Sequence, residues 1–114
     1  MFLILITSCN DNNSFYVKDQ CVISCINKGI YNLSVTSETS DISFDINWID
    51  SLNQAPSILN LKSIEKGYEI TKYNKWKSKI IPNQDFKLLP LKKYRIKRYQ
   101  GDVVSQEIEV ITNN

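Results

Sequence analysis

The sequence predicts an all-β fold, an antiparallel β-sandwich of about seven strands. Apolar residues alternate with polar ones in several short runs, and clusters of turn residues such as Asn53-Gln54-Ala55-Pro56 separate those runs. The chain has 114 residues, of which 42% are hydrophobic, and this is enough to bury one core. We therefore expect one small sandwich domain without βαβ units.

The strands are expected from Gly29 onward, over residues 29–114. Residues 9–28 are predicted to form a tether and a short cysteine-containing turn, with Asp19 as a helix N-cap and Gly29 as the terminator. Residues 57–66 fit either a strand or a helical turn in a long loop. The predicted strand runs are 31–35, 42–48, 68–70, 80–81, 86–88, 94–96 and 104–110.

Leu88, Pro90 and Tyr94 carry a resemblance to a known family. A Leu, a Pro two residues later and a Tyr four residues beyond it resemble the signature with which fibronectin type III domains enter their penultimate strand. The resemblance covers about residues 30–113 of the chain. It implies an immunoglobulin-like sandwich with a tyrosine corner, in which the Tyr94 hydroxyl hydrogen-bonds to the backbone upstream.

Three other segments are similar to strands of the same family. Trp48 resembles the tryptophan of its second strand, residues 68–70 resemble the start of its third strand, and residues 105–112 resemble its last strand. Membership implies a binding or structural module and not a catalyst, although one fold serves many functions.

The first nine residues predict attachment to a membrane. Residues 1–6 are apolar, Ile6-Thr7-Ser8-Cys9 resembles the lipobox of bacterial lipoproteins, and the chain turns polar directly after Cys9. The resemblance implies a signal peptide over residues 1–8, acylation of Cys9 and a lipid-anchored protein of the cell envelope, periplasmic or surface-exposed. Only eight residues precede Cys9 and none is Lys or Arg. Two explanations stay open: a longer signal that starts upstream, or an apolar strand of the fold.

Apart from Cys9, the chain has two cysteines, Cys21 and Cys25. Four residues along a strand separate two Cα atoms by about 13 Å, which is too far for a disulfide. One helical turn brings them to about 6 Å, which a disulfide can span. A Cys21–Cys25 disulfide in a helical turn and a pair of free buried thiols both stay open.

The composition offers no motif for catalysis, a metal or a cofactor. The chain has no histidine, and its three cysteines are too few for the common zinc sites. Asp41, Asp45 and Asp50 are the closest acidic residues, and Asp41 and Asp45 are predicted on the outer side of a strand as solvated charges. We expect no catalytic residue, no metal site, no cofactor and no enzyme activity.

A basic stretch with interleaved aromatic residues forms the predicted strand around Arg95, as in some nucleic-acid-binding proteins. If the apolar residues of this strand and of the last strand face the core, a three-residue loop at 100–102 places Lys93 opposite Glu109 and Arg95 opposite Glu107. Such cross-strand pairs cancel most of the positive field. We therefore favour a salt-bridged surface and no nucleic-acid partner.

Tyr73, Trp76 and Lys77 are the candidate partner-binding residues. They lie in or beside a predicted loop, where further lysines add positive charge. Aromatic and cationic side chains on the loops of a rigid scaffold are frequent contact sites. The alternative is that Trp76 packs on the edge of the core and that the lysines only keep the protein soluble.

Together these features predict a lipid-anchored binding or structural module of the cell envelope. Its partners would be the membrane, through the lipid on Cys9, and an envelope protein or a polysaccharide. A periplasmic inhibitor or immunity-type protein, and an accessory module of an envelope enzyme or of a polysaccharide-binding system, stay open as alternatives. A polysaccharide ligand predicts that Tyr73, Trp76 and Tyr99 lie on one face.

Overall fold

The structure, a computed structural model, describes residues 15–25, 28–100 and 103–111. These residues form nine β-strands and one 3-10 turn at Asn83–Asp85. The all-β prediction is therefore confirmed, whereas the expected number of about seven strands is too low. The strands are β1 (Phe15–Lys18), β2 (Cys21–Ser24), β3 (Asn32–Ser37), β4 (Ile42–Trp48), β5 (Ile58–Asn60), β6 (Tyr68–Asn74), β7 (Lys77–Ile81), β8 (Lys93–Gln100) and β9 (Val103–Ile111).

The strands form two antiparallel sheets. The smaller sheet has the order β1-β2-β5, and the larger sheet has the order β7-β6-β4-β3-β8-β9. Alternation along each strand places one face of each sheet in a common hydrophobic core. The core includes Phe15, Val22 and Leu59 from the smaller sheet, and Val35, Ile46, Ile70 and Ile96 from the larger sheet.

The β1–β2 hairpin corrects the prediction of a tether and a helical turn before Gly29. Lys18 pairs with Cys21, so Asp19 and Gln20 alone connect the two strands. Both residues have positive φ values, 52° and 62°. A two-residue turn with this backbone matches the twist of the flanking strands, and it closes a hairpin instead of starting a helix.

The possible Cys21–Cys25 disulfide is not formed. Cys21 is a free cysteine at the start of β2, and Cys25 follows this strand directly. The extended backbone of β2 keeps the two residues too far apart for a mutual bond.

The pairing of β8 with β9 differs from the predicted register. Arg95 lies opposite Glu109 where Glu107 was expected, because Gln100 pairs with Val103 and the ladder contains one irregularity. A shift of two residues leaves the two faces of β8 as predicted, since the side-chain period is two. The Arg95 guanidinium binds the carboxylate of Glu38 at 3.0 Å.

Tyr94, Trp48 and Tyr68, the aromatic residues of the resemblance, all lie at ends of strands in the larger sheet. The backbone N–H of Leu89 donates a hydrogen bond to the Tyr94 hydroxyl at 2.8 Å, which is the contact that the resemblance implies for this tyrosine. Trp48 ends β4. Tyr68 begins β6, the neighbour of β4 in the sheet.

Candidate functional site

The turn between β6 and β7 exposes Trp76. Asn74 pairs with Lys77, so the turn consists of Lys75 and Trp76 alone. Lys75 has a φ of 57°, in the left-handed region that tight hairpin turns use. The Trp76 side chain is 97% exposed. The alternative in which Trp76 packs on the edge of the core is therefore wrong.

Trp76 borders an open groove of about 590 Å³, which we call the Trp76 groove. It lies between the β6–β7 turn and the segment that joins β3 to β4. The lining contains two aromatic side chains, three aliphatic hydroxyl groups, one carboxylate, one ammonium group and one aliphatic side chain. These belong to Tyr73, Trp76, Thr36, Ser40, Ser43, Asp41, Lys75 and Ile42.

Tyr73 lies on the outer face of the larger sheet, opposite Ser43 of β4. The negative charge of Asp45, together with a hydrogen bond to its carboxylate, raises the pKa of Tyr73. Asp45 lies two residues beyond Ser43 on β4, so it is diagonally opposite Tyr73 on the same face of the sheet. The phenol and the carboxylate are therefore neighbours at one side of the groove.

Asp41 and Lys75 connect the two turns that border the groove. The Lys75 backbone N–H donates to the Asp41 carbonyl at 3.4 Å, and the Lys75 ammonium lies 3.8 Å from the Asp41 carboxylate. Both side chains are about two-thirds exposed, so the ion pair contributes little to stability.

Asp41 and Asp45 were predicted as solvated surface charges, and the structure adds a role for each in the site. Asp41 lines the groove and Asp45 lies diagonally opposite Tyr73. The signal that identifies them is the pairing of β4 with β6, which places Asp45 next to the Tyr73 strand. The alternation of residues along a single strand does not show which strands pair.

Lys77 lies outside the lining of the Trp76 groove. Since Ile70 and Ile81 face the core, the register places Lys72, Lys77 and Lys79 on the other face of the hairpin from Tyr73. We call these three residues the lysine ridge. Of the three predicted contact residues, the structure thus brings Tyr73 and Trp76 together and separates Lys77 from them.

A second groove of about 430 Å³ lies at the opposite end of β4, beside Trp48 and Leu52. Here the Trp48 indole N–H donates a hydrogen bond to the Asn53 carbonyl at 2.9 Å. The Trp48 ring packs edge to face against the Tyr68 ring, with 4.9 Å between the ring centroids. Trp48 therefore makes structural contacts within the domain, whereas Trp76 is exposed to solvent.

Arg98 belongs to the same basic stretch as Arg95, and its side chain is only 6% exposed. Its guanidinium donates to the Gly29 carbonyl at 3.0 Å, and burial lowers its pKa. Nearby, the Tyr68 hydroxyl donates to the Ile30 carbonyl at 2.7 Å. These two side chains bind the backbone that leads into β3, so Arg98 has a structural role.

Within residues 15–25, 28–100 and 103–111, no group of three or more His, Cys, Asp or Glu side chains is placed to hold a metal ion. The same residues contain no helix long and apolar enough to cross a membrane. Cys9 and the predicted signal segment 1–8 lie outside the described residues, as does the side chain of Tyr99. Comparisons with protein-family models, with curated proteins and with solved structures found no match.

Proposed function

We propose that this chain is a lipid-anchored binding module of the cell envelope, without catalytic activity, which contacts its partner through the Trp76 groove. The observation that carries the proposal is the 97% exposure of Trp76 beside Tyr73. Covering an indole in a complex contributes about 2–3 kcal/mol, and tryptophan is enriched among the residues that dominate binding. An exposed tryptophan on a rigid hairpin is suited to that role.

The strand order supports a fibronectin type III or related immunoglobulin-like sandwich. Such folds place strands A, B and E in one sheet and C, F and G in the other, and some add C′ beside C. Here β1, β2 and β5 take the positions of A, B and E, while β4-β3-β8-β9 follow the order C′-C-F-G. The Tyr94 hydroxyl contact at the start of β8 matches the tyrosine corner of strand F. In this proposal, β6 and β7 are an insertion that extends the C′ edge and supplies Trp76.

The lipobox-like Ile6-Thr7-Ser8-Cys9 supports the lipid anchor. The position of β1 supports an orientation of the domain relative to the membrane. Phe15, the first residue of β1, lies near the Trp48 end of β4, whereas Trp76 lies at the Ile42 end. The seven residues of β4 span about 20 Å. A chain anchored upstream of Phe15 therefore presents the groove away from its membrane. The contacts that connect Phe15 to this end are Phe15↔Ser24, Ser24 N–H to Ser57 O, Ile30 N–H to Pro56 O and Trp48 N–H to Tyr31 O.

The lipid anchor is tested by the intact mass of the chain isolated from the membranes of the cells that produce it. We expect a mature chain that begins at Cys9 and carries acyl groups. The control variant Cys9→Ala should lose the acyl mass and leave the membrane fraction. An unmodified chain that retains Met1 would contradict the anchor.

A further inference from the structure

We infer that the Trp76 groove binds an uncharged carbohydrate chain. This inference rests on the proposed function, since it names the class of ligand for the same groove. A pyranose ring has a flat face of C–H groups and a rim of hydroxyl groups. It needs an exposed aromatic face for stacking and a set of small hydrogen-bonding groups beside it.

The lining of the groove provides both features. Trp76 offers a solvent-exposed ring, and Thr36, Ser40 and Ser43 offer hydroxyl groups that both donate and accept hydrogen bonds. The Asp41 carboxylate adds an acceptor for sugar hydroxyl protons. A groove for an apolar peptide side chain would instead be lined mainly by hydrophobic residues.

The charges around the groove favour an uncharged ligand. The ammonium group in the lining, on Lys75, lies 3.8 Å from the Asp41 carboxylate. A second carboxylate, on Asp45, lies diagonally opposite Tyr73 on the same face of the sheet. The lysine ridge lies on the other face of the hairpin. A polyanion such as a nucleic acid would meet two carboxylates and one paired cation, which is unfavourable.

The site is organised before a ligand arrives. The Lys75–Asp41 backbone hydrogen bond joins the turns on the two sides of the groove. A preformed site loses less conformational entropy on binding, which suits the weak individual contacts that a sugar makes. The orientation proposed above turns this site toward the space beyond the membrane, where envelope polysaccharides lie.

The experiment is a titration of the full chain with chitotetraose, cellotetraose and maltotetraose, observed by tryptophan fluorescence and by calorimetry. At least one tetrasaccharide should bind and change the Trp76 emission. Trp76→Ala should weaken that binding about tenfold or more, and Trp76→Phe, which keeps a ring, should weaken it less. Leu52→Ala is the matched control, because Leu52 is 91% exposed at the other end of β4, and it should leave the affinity within about twofold.

Absence of binding to all three sugars at millimolar concentration, or binding that Trp76→Ala leaves unchanged, would overturn the inference. Cross-linking of the anchored chain in its own envelope separates this failure from a failure of the proposed function. A protein partner that is lost in Trp76→Ala and kept in Leu52→Ala would contradict the carbohydrate ligand and retain the binding module. If no partner of either class depends on Trp76, both proposals are wrong.

Discussion

The two tryptophans have opposite roles at the scale of single residues. Trp76 contacts solvent almost entirely, whereas Trp48 is held by a hydrogen bond to Asn53 and by the ring of Tyr68. Trp48 also lies over Gly67, where a side chain would meet its six-membered ring. Gly67 has a φ of 101°, which L-residues rarely adopt. The ring position and the backbone conformation therefore depend on this glycine.

Gly67→Ala should destabilise the fold by about 2 kcal/mol or more, because the new methyl group collides with the Trp48 ring and the backbone becomes strained. Urea unfolding monitored by circular dichroism measures this free energy. In the Trp48→Phe background the same substitution should cost less, since the smaller ring leaves room for the methyl group. Equal costs in both backgrounds would show that the ring contact is unimportant.

We expect the free energy of unfolding to fall at alkaline pH because Tyr68 is buried. The side chain is 4% exposed, and burial raises its pKa well above the usual value near 10. Because the folded state keeps the phenol proton, the stabilisation is complete below pH 10 and is lost above it, as the unfolded chain ionises. Tyr68→Phe should lower stability by about 1 kcal/mol at pH 7, through loss of the hydrogen bond to Ile30.

Urea unfolding between pH 7 and pH 11 checks this expectation. Above pH 10, Tyr68→Phe should lose less stability than the natural chain. The two curves of unfolding free energy against pH should therefore converge. Curves that stay parallel throughout the range would contradict a role for Tyr68 ionisation.

At the scale of elements, the β6–β7 hairpin carries both the Trp76 groove and the lysine ridge. Lys72 lies directly opposite Lys79 in the ladder. Like charges at opposite positions destabilise a sheet. Lysine on an edge strand also hinders pairing with a second chain, which gives a reason for Lys79 on β7.

Lys79→Glu should therefore stabilise the protein by about 0.5 kcal/mol, since an opposite-charge pair with Lys72 replaces a like-charge pair. Thermal or urea unfolding at low ionic strength measures the gain, which should shrink in 1 M salt. Lys77→Glu is the control, because Lys77 lies opposite the uncharged Asn74. If Lys77→Glu stabilises the protein by the same amount, the effect comes from the change in net charge and not from the pair of Lys72 with residue 79.

The elements also show how far the sequence predicts this fold. A long alternating run such as β4 is evident from its period of two, whereas β6 was predicted only over residues 68–70. The hairpin of β1 and β2 was missed because each strand has four residues and its turn, Asp19-Gln20, lacks the glycine or asparagine that usually signals such a turn. For the candidate site, Tyr73 and Trp76 were predictable as aromatic residues beside a turn. The position of Asp45 beside the site was not predictable, because it depends on which strands pair.

At the scale of the whole molecule, the larger sheet joins parts of the chain that are distant in sequence. β3 pairs with β4, its neighbour along the chain, on one side and with β8 on the other. The β6–β7 hairpin lies at one edge of this sheet, and the β8–β9 hairpin forms the other edge. The central strands are thereby shielded on both sides.

The β3–β8 pairing has a consequence for how the chain folds. Ser34 and Lys97 are partners, yet they lie about sixty residues apart, so closing this loop costs more entropy than closing any adjacent hairpin. The β6–β7 and β1–β2 hairpins can form within microseconds, whereas β3 gains its second neighbour only when β8 arrives. During synthesis β3 therefore presents an open edge until β8 has emerged. In this interval the nascent protein is most exposed to misassociation.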